Sequence, residues 1–288
     1  MTSVEAARVA AFVAVVVAVL AQAAWFAGRR LIRALAPSGP RSRGFLVYER
    51  AVFALALAGL GCILYGYFIE PYWLVVRRFT LPLKGLPAGA APVRVLHFSD
   101  LHCDAKVRLE DTLAAVAAAE KPDLITFSGD SVNGPEGLEH FRRTMESLSR
   151  VAPVYAAFGN WDTWINTGLN YYGGLPVHHL SADGELVTIR GTRLWVTGTA
   201  TGSEQHLERL MKARPPGAAA IHIHHYPDSI ETAAALGCDL YLCGHTHGGQ
   251  VALPGYGALL TFSKFGKKYE RGLYRVGTTW GYVNPGIG

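Results

Sequence analysis

A pair of histidines between glycines is the part of this sequence with the most evident chemistry. The segment 244–250, GHTHGGQ, places His245 and His247 one residue apart, directly after the apolar run 240–243. Glycine carries no side chain, so a metal ion can approach such a loop closely. Two imidazoles at this spacing favour a transition-metal site, with ordinary loop histidines as the alternative. Ligands from other parts of the chain would decide between the two.

Side chains of metal-ligand type follow four more apolar runs. The runs 93–99, 123–128, 153–158 and 218–223 precede, in turn, Asp100 with His102, Asp130, Asn160 with Asp162, and His224 with His225. Loops at the carboxyl ends of strands in an open α/β sheet face one crevice, so the five loops are expected to meet. Each residue alone has a structural explanation, such as a turn former at Asp100 or a core histidine at His222. Together they predict a metal centre.

The mixture of carboxylates and imidazoles indicates which metals such a centre would hold. It suits Mn, Fe, Zn, Ni or Co better than Ca or Mg. A carboxylate can bridge two ions about 3.5–4 Å apart, which is the spacing of two-metal hydrolytic sites. The four cysteines do not have the spacing of a zinc finger. The residues therefore predict a hydrolytic centre with two divalent ions.

The order of these motifs resembles the calcineurin-like metallophosphoesterases. The motifs are Asp-x-His at 100–102, Gly-Asp at 129–130, Gly-Asn-x-Asp at 159–162, His-x-Pro-Asp at 225–228 and the segment 244–250. The ending Gly-Gly-Gln and the tail 264–274 resemble the membrane-associated branch of YkuE-type and YaeI-type phosphoesterases. That branch includes UDP-2,3-diacylglucosamine pyrophosphatases of lipid A biosynthesis. The resemblance covers about 93–288 and implies a four-layer α-β-β-α sandwich with two metal ions, manganese first among the candidates.

The resemblance also implies a role for each residue. The first ion would be held by Asp100, His102 and His247, and the second by Asn160, His225 and His245, with Asp130 bridging both. His225 is preferred to His224 because it stands two residues before the Pro-Asp pair. The predicted catalytic residues are Asp130, Asn160, Trp161 and Asp162, with Asp162 orienting its neighbours rather than acting as a base.

Trp161 departs from the family pattern, which has histidine after the asparagine. The usual histidine donates a hydrogen bond to the phosphate and helps to protonate the leaving group. Tryptophan offers only an indole N–H and cannot titrate. One interpretation is a catalytically silent membrane module that binds metal or lipid. The other is a substrate whose leaving group needs little protonation, such as a pyrophosphate, since a phosphate leaving group has a pKa of about 6.

Two uncharged apolar runs, 9–28 and 51–69, precede the metal motifs. Each has about the 20 residues that a helix needs to cross a bilayer, so two transmembrane helices are predicted within an anchor domain at 1–78. A cleaved signal peptide is the alternative for the first run, although basic residues before it are few. The expected location is the inner (cell) membrane, as a multi-pass protein.

Arginines between the two runs bear on orientation and on partners. They are Arg29, Arg30, Arg33, Arg41, Arg43 and Arg50. The positive-inside rule puts this loop in the cytoplasm and the catalytic domain outside, whereas a UDP-lipid substrate would require a cytosolic domain. The side of the membrane is therefore left open. Much of the net charge of +5 lies in this loop, which favours anionic lipid head groups over nucleic acid as a partner. The sequence does not predict an oligomeric state.

A second basic cluster follows the histidine pair. Lys264, Lys267, Lys268 and Arg271 are predicted to bind substrate phosphates, with a solvated loop as the alternative.

The remaining chain predicts an α/β domain at 93–288 after a Pro- and Gly-rich linker at 79–92. Helices are expected at 109–120, 136–150, 203–213 and 229–236, and a hairpin turn at 191–192. Two stacked mixed sheets with helices outside are expected. The best functional hypothesis is hydrolysis of a lipid-linked pyrophosphate such as UDP-2,3-diacylglucosamine. The alternative enzyme is an extracytoplasmic phosphodiesterase or phosphatase of broad specificity.

Overall fold

The computed structural model describes residues 3–36 and 39–288, and these form two compact units that divide between Trp73 and Leu74. The first unit is a pair of helices, α1 (Ser3–Leu35) and α2 (Arg43–Phe68). At 1.5 Å per residue they measure roughly 50 and 39 Å, more than the hydrocarbon thickness of about 30 Å. Only 6% of each apolar window is buried within the structure. Both helices are long and apolar enough to cross a membrane.

The second unit begins with a sheet in which all neighbouring strands are parallel. Its strands, in spatial order, are β1 (Val95–Phe98), β2 (Leu124–Phe127), β3 (Val154–Ala156) and β4 (Val177–His179). The crossovers contain α3 (Glu110–Glu120) and α4 (Leu138–Ser149). The expectation of two mixed sheets is therefore wrong for this one. Each of its connections crosses over to start the next strand at the same end, which gives parallel pairing.

The second sheet is mixed and has six strands. Its spatial order is β11 (Gly272–Val276), β12 (Thr279–Val283), β8 (Leu240–Cys243), β7 (Ala219–His224), β6 (Thr192–Thr199) and β5 (Ala182–Ile189). Only the two edge strands pair antiparallel with their neighbours. Two short helices, α5 (Leu207–Lys212) and α6 (Ile230–Ala235), lie in its crossovers, and β9 (Ala252–Leu253) pairs with β10 (Gly257–Ala258) in a separate ribbon.

Three buried clusters of apolar side chains hold these layers together. Successive side chains of a strand belong to different clusters. Ile125 and Phe127 of β2 pack with α3 and α4, whereas Leu124 joins the cluster between the two sheets. In β7, Ile221 faces the layer between the sheets and Ala220 packs with α5 and α6. Successive side chains of a strand point to opposite faces, so each central strand serves two cores. The four-layer α-β-β-α sandwich is confirmed.

The turn between β5 and β6 lies one residue earlier than expected. Ile189 pairs with Thr192, so the two turn residues are Arg190 and Gly191. Their φ values are 49° and 81°. A two-residue type I′ turn requires positive φ at both positions, which a β-branched residue such as Thr192 strongly disfavours. The predicted helices at 136–150, 203–213 and 229–236 are present, and each begins with a 3₁₀ turn at Pro135–Gly137, Glu204–His206 and Pro227–Ser229.

The segment 79–92 has irregular backbone and is attached to the rest of the second unit along its length. Gly85 N donates to Asp239 Oδ1 at 2.7 Å, and Trp280 Nε1 donates to the carbonyl of Pro82 at 3.0 Å. Leu81, Leu83 and Leu86 pack against the cluster between the sheets. Asp239 is buried and also accepts from Ala220 N at 2.8 Å and from Arg214 at 3.1 Å. This carboxylate therefore ties the segment to β7.

Replacing Asp239 with alanine is expected to lower the free energy of unfolding by about 3 kcal/mol, because two backbone N–H groups and the Arg214 guanidinium lose their acceptor. Denaturant unfolding of the purified protein would measure the change. Asp111→Ala is the matched control, since it removes an exposed partner of Arg143 at 3.0 Å and should change little. Equal effects of the two substitutions would contradict the assignment.

Candidate metal centre

The predicted ligands follow strands of both sheets. Asp100 and His102 follow β1, Asp130 follows β2, Asn160 follows β3, His225 follows β7, and His245 with His247 follow β8. Five of these seven residues have positive φ: Asp100 at 53°, His102 at 43°, Asp130 at 58°, His245 at 73° and His247 at 50°. Residues other than glycine rarely adopt this left-handed backbone, and where they do they are concentrated at functional sites. The loops are therefore held in unfavourable conformations that aim their side chains inward.

Asp100, His102 and His247 form the first cluster. Their ligand atoms all lie within 4.8 Å of one another. His247 Nε2 lies 3.3 Å from Asp100 Oδ1 and 3.3 Å from His102 Nε2. These are the three residues predicted to hold the first ion, and the structure brings them together.

Asp130, His225 and His245 form the second cluster, again within 4.8 Å of one another. His225 Nε2 lies 3.2 Å from Asp130 Oδ2 and 3.2 Å from His245 Nδ1. Both histidines were predicted for the second ion. Although Asp130 belongs to this cluster, its Oδ2 also lies 3.6 Å from His102 Nε2 of the first cluster. One carboxylate oxygen thus faces a histidine of each cluster, which is the geometry required of the predicted bridge.

Asn160 supplies a further observation in favour of bound metal. Its side-chain oxygen is buried and has no hydrogen-bond partner among the described residues. A buried polar atom without a partner is costly, so an unmet acceptor at such a place fits a ligand that the protein atoms do not supply. The donors of the two clusters are carboxylate, amide and imidazole, a set that suits Mn, Fe or Zn. The residues present therefore fit two divalent ions.

The electrostatics of the second cluster also favour a cation. Although burial opposes protonation, the carboxylates of Asp130 and Asp100 raise the pKa of His225 to about 9. Burial, together with the neighbouring His225, lowers the pKa of His245 to about 3. The two carboxylates thus attract positive charge to this position strongly enough to protonate one imidazole. A metal ion bound here would displace that proton.

Asp162 fixes the loops rather than joining either cluster. Its carboxylate accepts backbone N–H bonds from Asp130, Ser131 and Gly159, each at 2.9 Å. Burial and the nearby Asp130 raise the pKa of Asp162 to about 6. Because Gly159 directly precedes Asn160, this side chain ties the loop after β2 to the loop after β3. These contacts fit the orienting role predicted for Asp162, which stays a prediction.

Trp161 lies against His102, a predicted ligand of the first ion. Its ring meets that of His102 edge to face, with centroids 5.1 Å apart and planes at 88°. Its backbone N–H donates to Asp130 Oδ1 at 2.9 Å. Trp161 also begins a π-helical turn, Trp161–Ile165, an uncommon conformation that is often found at functional sites. Trp161 therefore contacts one residue of each cluster, and its catalytic role stays a prediction.

The four residues of the predicted basic cluster have different neighbours in the structure. Lys268 pairs with Glu231 at 2.5 Å, Lys267 Nζ lies 3.6 Å from the centre of the Tyr256 ring, and Lys264 Nζ lies 5.0 Å from that of Phe265. Arg271 instead packs against Gly248, where an added Cβ would lie 3.0 Å from Arg271 Cδ. Gly248 is next to His247, a predicted ligand, so Arg271 lies beside the histidine loop. Binding of phosphate by all four remains a prediction.

Several contacts that support the predicted ligands were not expected from the sequence. The Ser99 hydroxyl donates to Asp100, and Arg108 Nη2 donates to the carbonyl of His102 at 2.8 Å. The Tyr226 ring lies 3.9 Å from that of His245, centre to centre. Tyr226 stands directly after a predicted ligand, which was an available signal, whereas the spacing of Arg108 carried none. His222 and His224, predicted as non-ligands, hydrogen-bond to Thr199 at 3.1 Å each.

Comparison with known proteins agrees with this geometry. Residues 93–249 match the family model described as calcineurin-like phosphoesterase. The chain belongs to this family. It is 31% identical to the uncharacterized metallophosphoesterase YkuE of Bacillus subtilis, over 83% of this chain and 87% of that one. It is 30% identical to the phosphodiesterase YaeI of Escherichia coli, over 85% and 92%.

A solved structure, TT1561 of Thermus thermophilus, is similar with a TM-score of 0.48 at 13% identity, over 68% of this chain and 91% of that one. Members of the calcineurin-like phosphoesterase family use a dinuclear metal site, and this chain has two candidate metal-binding groups. The protein is a metal-dependent hydrolase of that family.

Replacing Asp162 with alanine is expected to weaken Mn²⁺ binding by about 10- to 100-fold, because three backbone N–H groups that position Asp130 and Asn160 lose their acceptor. Calorimetric titration of the metal-free protein with Mn²⁺ would measure this. Asp183→Ala, which removes an exposed carboxylate of β5, is the control and should leave the affinity unchanged. Unaltered Mn²⁺ affinity in the Asp162 variant would exclude an orienting role.

Proposed function

We propose that the protein is anchored in the cell membrane by α1 and α2 and hydrolyses a lipid-linked pyrophosphate, of which UDP-2,3-diacylglucosamine is the first candidate. The proposed cofactor is a pair of Mn²⁺ ions held by Asp100, His102 and His247 and by Asn160, His225 and His245, with Asp130 shared. Carboxylate and amide oxygens mixed with imidazoles support this choice of metal. Such ions would supply an activated water and neutralise charge on the phosphate.

The observation that carries the proposal is the position of Trp161. Its ring contacts His102 at a centroid distance of 5.1 Å. It occupies the position at which the resemblance to the family implies a histidine. An indole cannot pass a proton to a leaving group. An alkoxide leaving group needs that proton, whereas a phosphate departs as a stable anion. A centre built in this way is suited to phosphoanhydrides.

Apolar groups near the centre support a lipid-linked substrate. Trp164 and Ile165, on the π-helical turn that begins at Trp161, are 63% and 55% exposed. The Trp164 ring lies 6.4 Å from that of Tyr226, which in turn contacts His245. Exposed large apolar side chains beside a catalytic centre are typical of sites that receive apolar ligands. Anchoring by two apolar helices would keep such a centre near its lipid substrate.

A second candidate is hydrolysis of phosphodiesters outside the cytoplasm. The printed function of YaeI, a phosphodiesterase, supports it, as does the arginine-rich loop, which the positive-inside rule puts in the cytoplasm. The match to a hydrolase family favours both enzymes over a silent membrane module.

Hydrolysis by purified full-length protein in detergent with Mn²⁺ would distinguish the two candidates. UDP-2,3-diacylglucosamine and bis-p-nitrophenyl phosphate are compared, with Asp130→Asn as the inactive control. Cleavage of the nucleotide-lipid that the control lacks is expected, and it would require a cytoplasmic catalytic unit. Cleavage of the aryl ester alone would reject the pyrophosphate and favour the phosphodiesterase.

Restoring the family histidine tests the role of Trp161. Trp161→His is expected to raise kcat/KM on an alkyl phosphodiester by about a hundredfold, because a general acid becomes available, and to change kcat/KM on the pyrophosphate little. Trp164→His, at an exposed position of the same turn, is the control and should gain neither. A large gain on both substrates would refute the leaving-group argument.

A further inference from the structure

A basic cavity lies in the helical unit and includes no residue of the metal centre. It is an open depression with a volume of about 310 Å³, formed by the end of α1, by Pro40, Arg41 and Ser42, and by the start of α2. Its lining residues are Arg29, Arg33, Pro40, Arg41, Ser42 and Phe45. Three of these six carry a guanidinium and none carries a carboxylate. A concave surface with this charge is complementary to an anion.

The arginines of the unit are unequally neutralised. Glu49 is fully buried and binds both Arg30 Nε at 2.8 Å and Arg41 Nη1 at 2.6 Å. Arg33 contacts the carbonyl of Gly39 at 3.2 Å, and Arg29 lies over aromatic rings. Among residues 3–36 and 39–288, no carboxylate lies within ion-pair distance of Arg29 or Arg33. These two stand one helical turn apart, where like charges repel, so an anion between them would be stabilising.

Aromatic rings hold two of the guanidinium groups in place. Arg29 Cζ lies 4.8 Å from the centre of the Trp25 ring and 5.9 Å from that of Phe45, and Arg41 Cζ lies 5.5 Å from the same Phe45 ring. A guanidinium on an aromatic face keeps N–H groups at its edge available for hydrogen bonds. Such groups match the oxygens of a phosphate, and their restraint lowers the entropy lost on binding.

The level of the cavity indicates the source of that phosphate. Arg29 stands directly after the uncharged run 9–28, and Ser42 caps the helix that contains the second run, 51–69. In a pair of helices that spans a bilayer, this position is at the boundary between hydrocarbon and water, where phospholipid phosphates lie. A water-soluble phosphate would require no such position.

We propose that Arg29, Arg33 and Arg41 form a binding site for the phosphate head group of an anionic phospholipid. This inference rests on the membrane anchoring in the proposed function, but not on the substrate of the metal centre. Lipid bound there would link the ends of α1 and α2 through their otherwise repelling charges.

Native mass spectrometry of the full-length protein in detergent tests the site by titration with phosphatidylglycerol. Arg29→Gln and Arg33→Gln are each expected to weaken binding by about tenfold, since each removes charge-assisted hydrogen bonds. Phosphatidylcholine should bind more weakly than phosphatidylglycerol to the parent protein. Arg29→Lys keeps the charge without the planar fork and should fall between the parent and the glutamine variant.

Arg50→Gln is the matched control, because it removes one exposed arginine of α2 that does not line the cavity. Equal loss in this control, or equal binding of the two lipids by the parent, would overturn the site. Competition by millimolar inorganic phosphate as effective as that by lipid would overturn the lipid assignment. A circular dichroism spectrum equal to that of the parent would show that the helices of the variants remain folded.

Alkaline carbonate extraction of membranes separates this inference from the anchoring itself. Release of the full-length parent protein by carbonate would refute the anchor and the lipid site with it. Retention in the membrane, without arginine-dependent lipid binding, would refute the site alone.

Discussion

The sharing of Asp130 between two clusters is the constraint on which the catalytic unit depends. One oxygen of this buried carboxylate lies 3.2 Å from a histidine after β7 and 3.6 Å from a histidine after β1. Those strands belong to different sheets, so the distances exist only if the sheets stack in one register. The apolar layer between them, with Leu124 and Ile221 fully buried, fixes that register. Packing of the apolar layer between the sheets therefore determines the geometry of the metal centre.

Glycines, and predicted ligand residues with a left-handed backbone conformation, permit the loops to approach one another. A Cβ at Gly129 would meet the backbone of Gly159, and one at Gly244 would meet the Ser99 and Asp100 side chains. Positive φ at five ligand positions is unfavourable by itself and persists because the surrounding core overdetermines it. The Asp162 carboxylate replaces interactions that these loops cannot make with regular secondary structure, since it accepts three backbone N–H groups. Folding free energy from the sandwich is thereby used to preorganise the centre.

The two units have opposite electrostatic designs. In the catalytic unit, neighbouring carboxylates raise the pKa of His225 to about 9 although this side chain is buried, so the site favours positive charge. In the helical unit, one buried glutamate binds Arg30 and Arg41. Arg29 contacts an aromatic ring and Arg33 a backbone carbonyl, so this part of the unit favours bound anions. In this family, metal ions supply the positive charge. A bilayer rich in anionic lipid would supply negative charge to the arginines of the helical unit.

The sequence by itself determined the strand–loop pattern, both apolar helices and the identity of the residues in the clusters, because hydrophobic periodicity and glycine-flanked motifs are local properties. It did not determine that Arg271 rather than the lysines reaches the histidine loop, or that Arg108 holds His102. Those facts depend on contacts between residues far apart in the chain. The hairpin turn was displaced by one residue for a similar reason, since pairing of Ile189 with Thr192 selects which residues take positive φ. Only the stacking of two sheets decides which side chains meet, since spacing along the chain carries no information about distance across it.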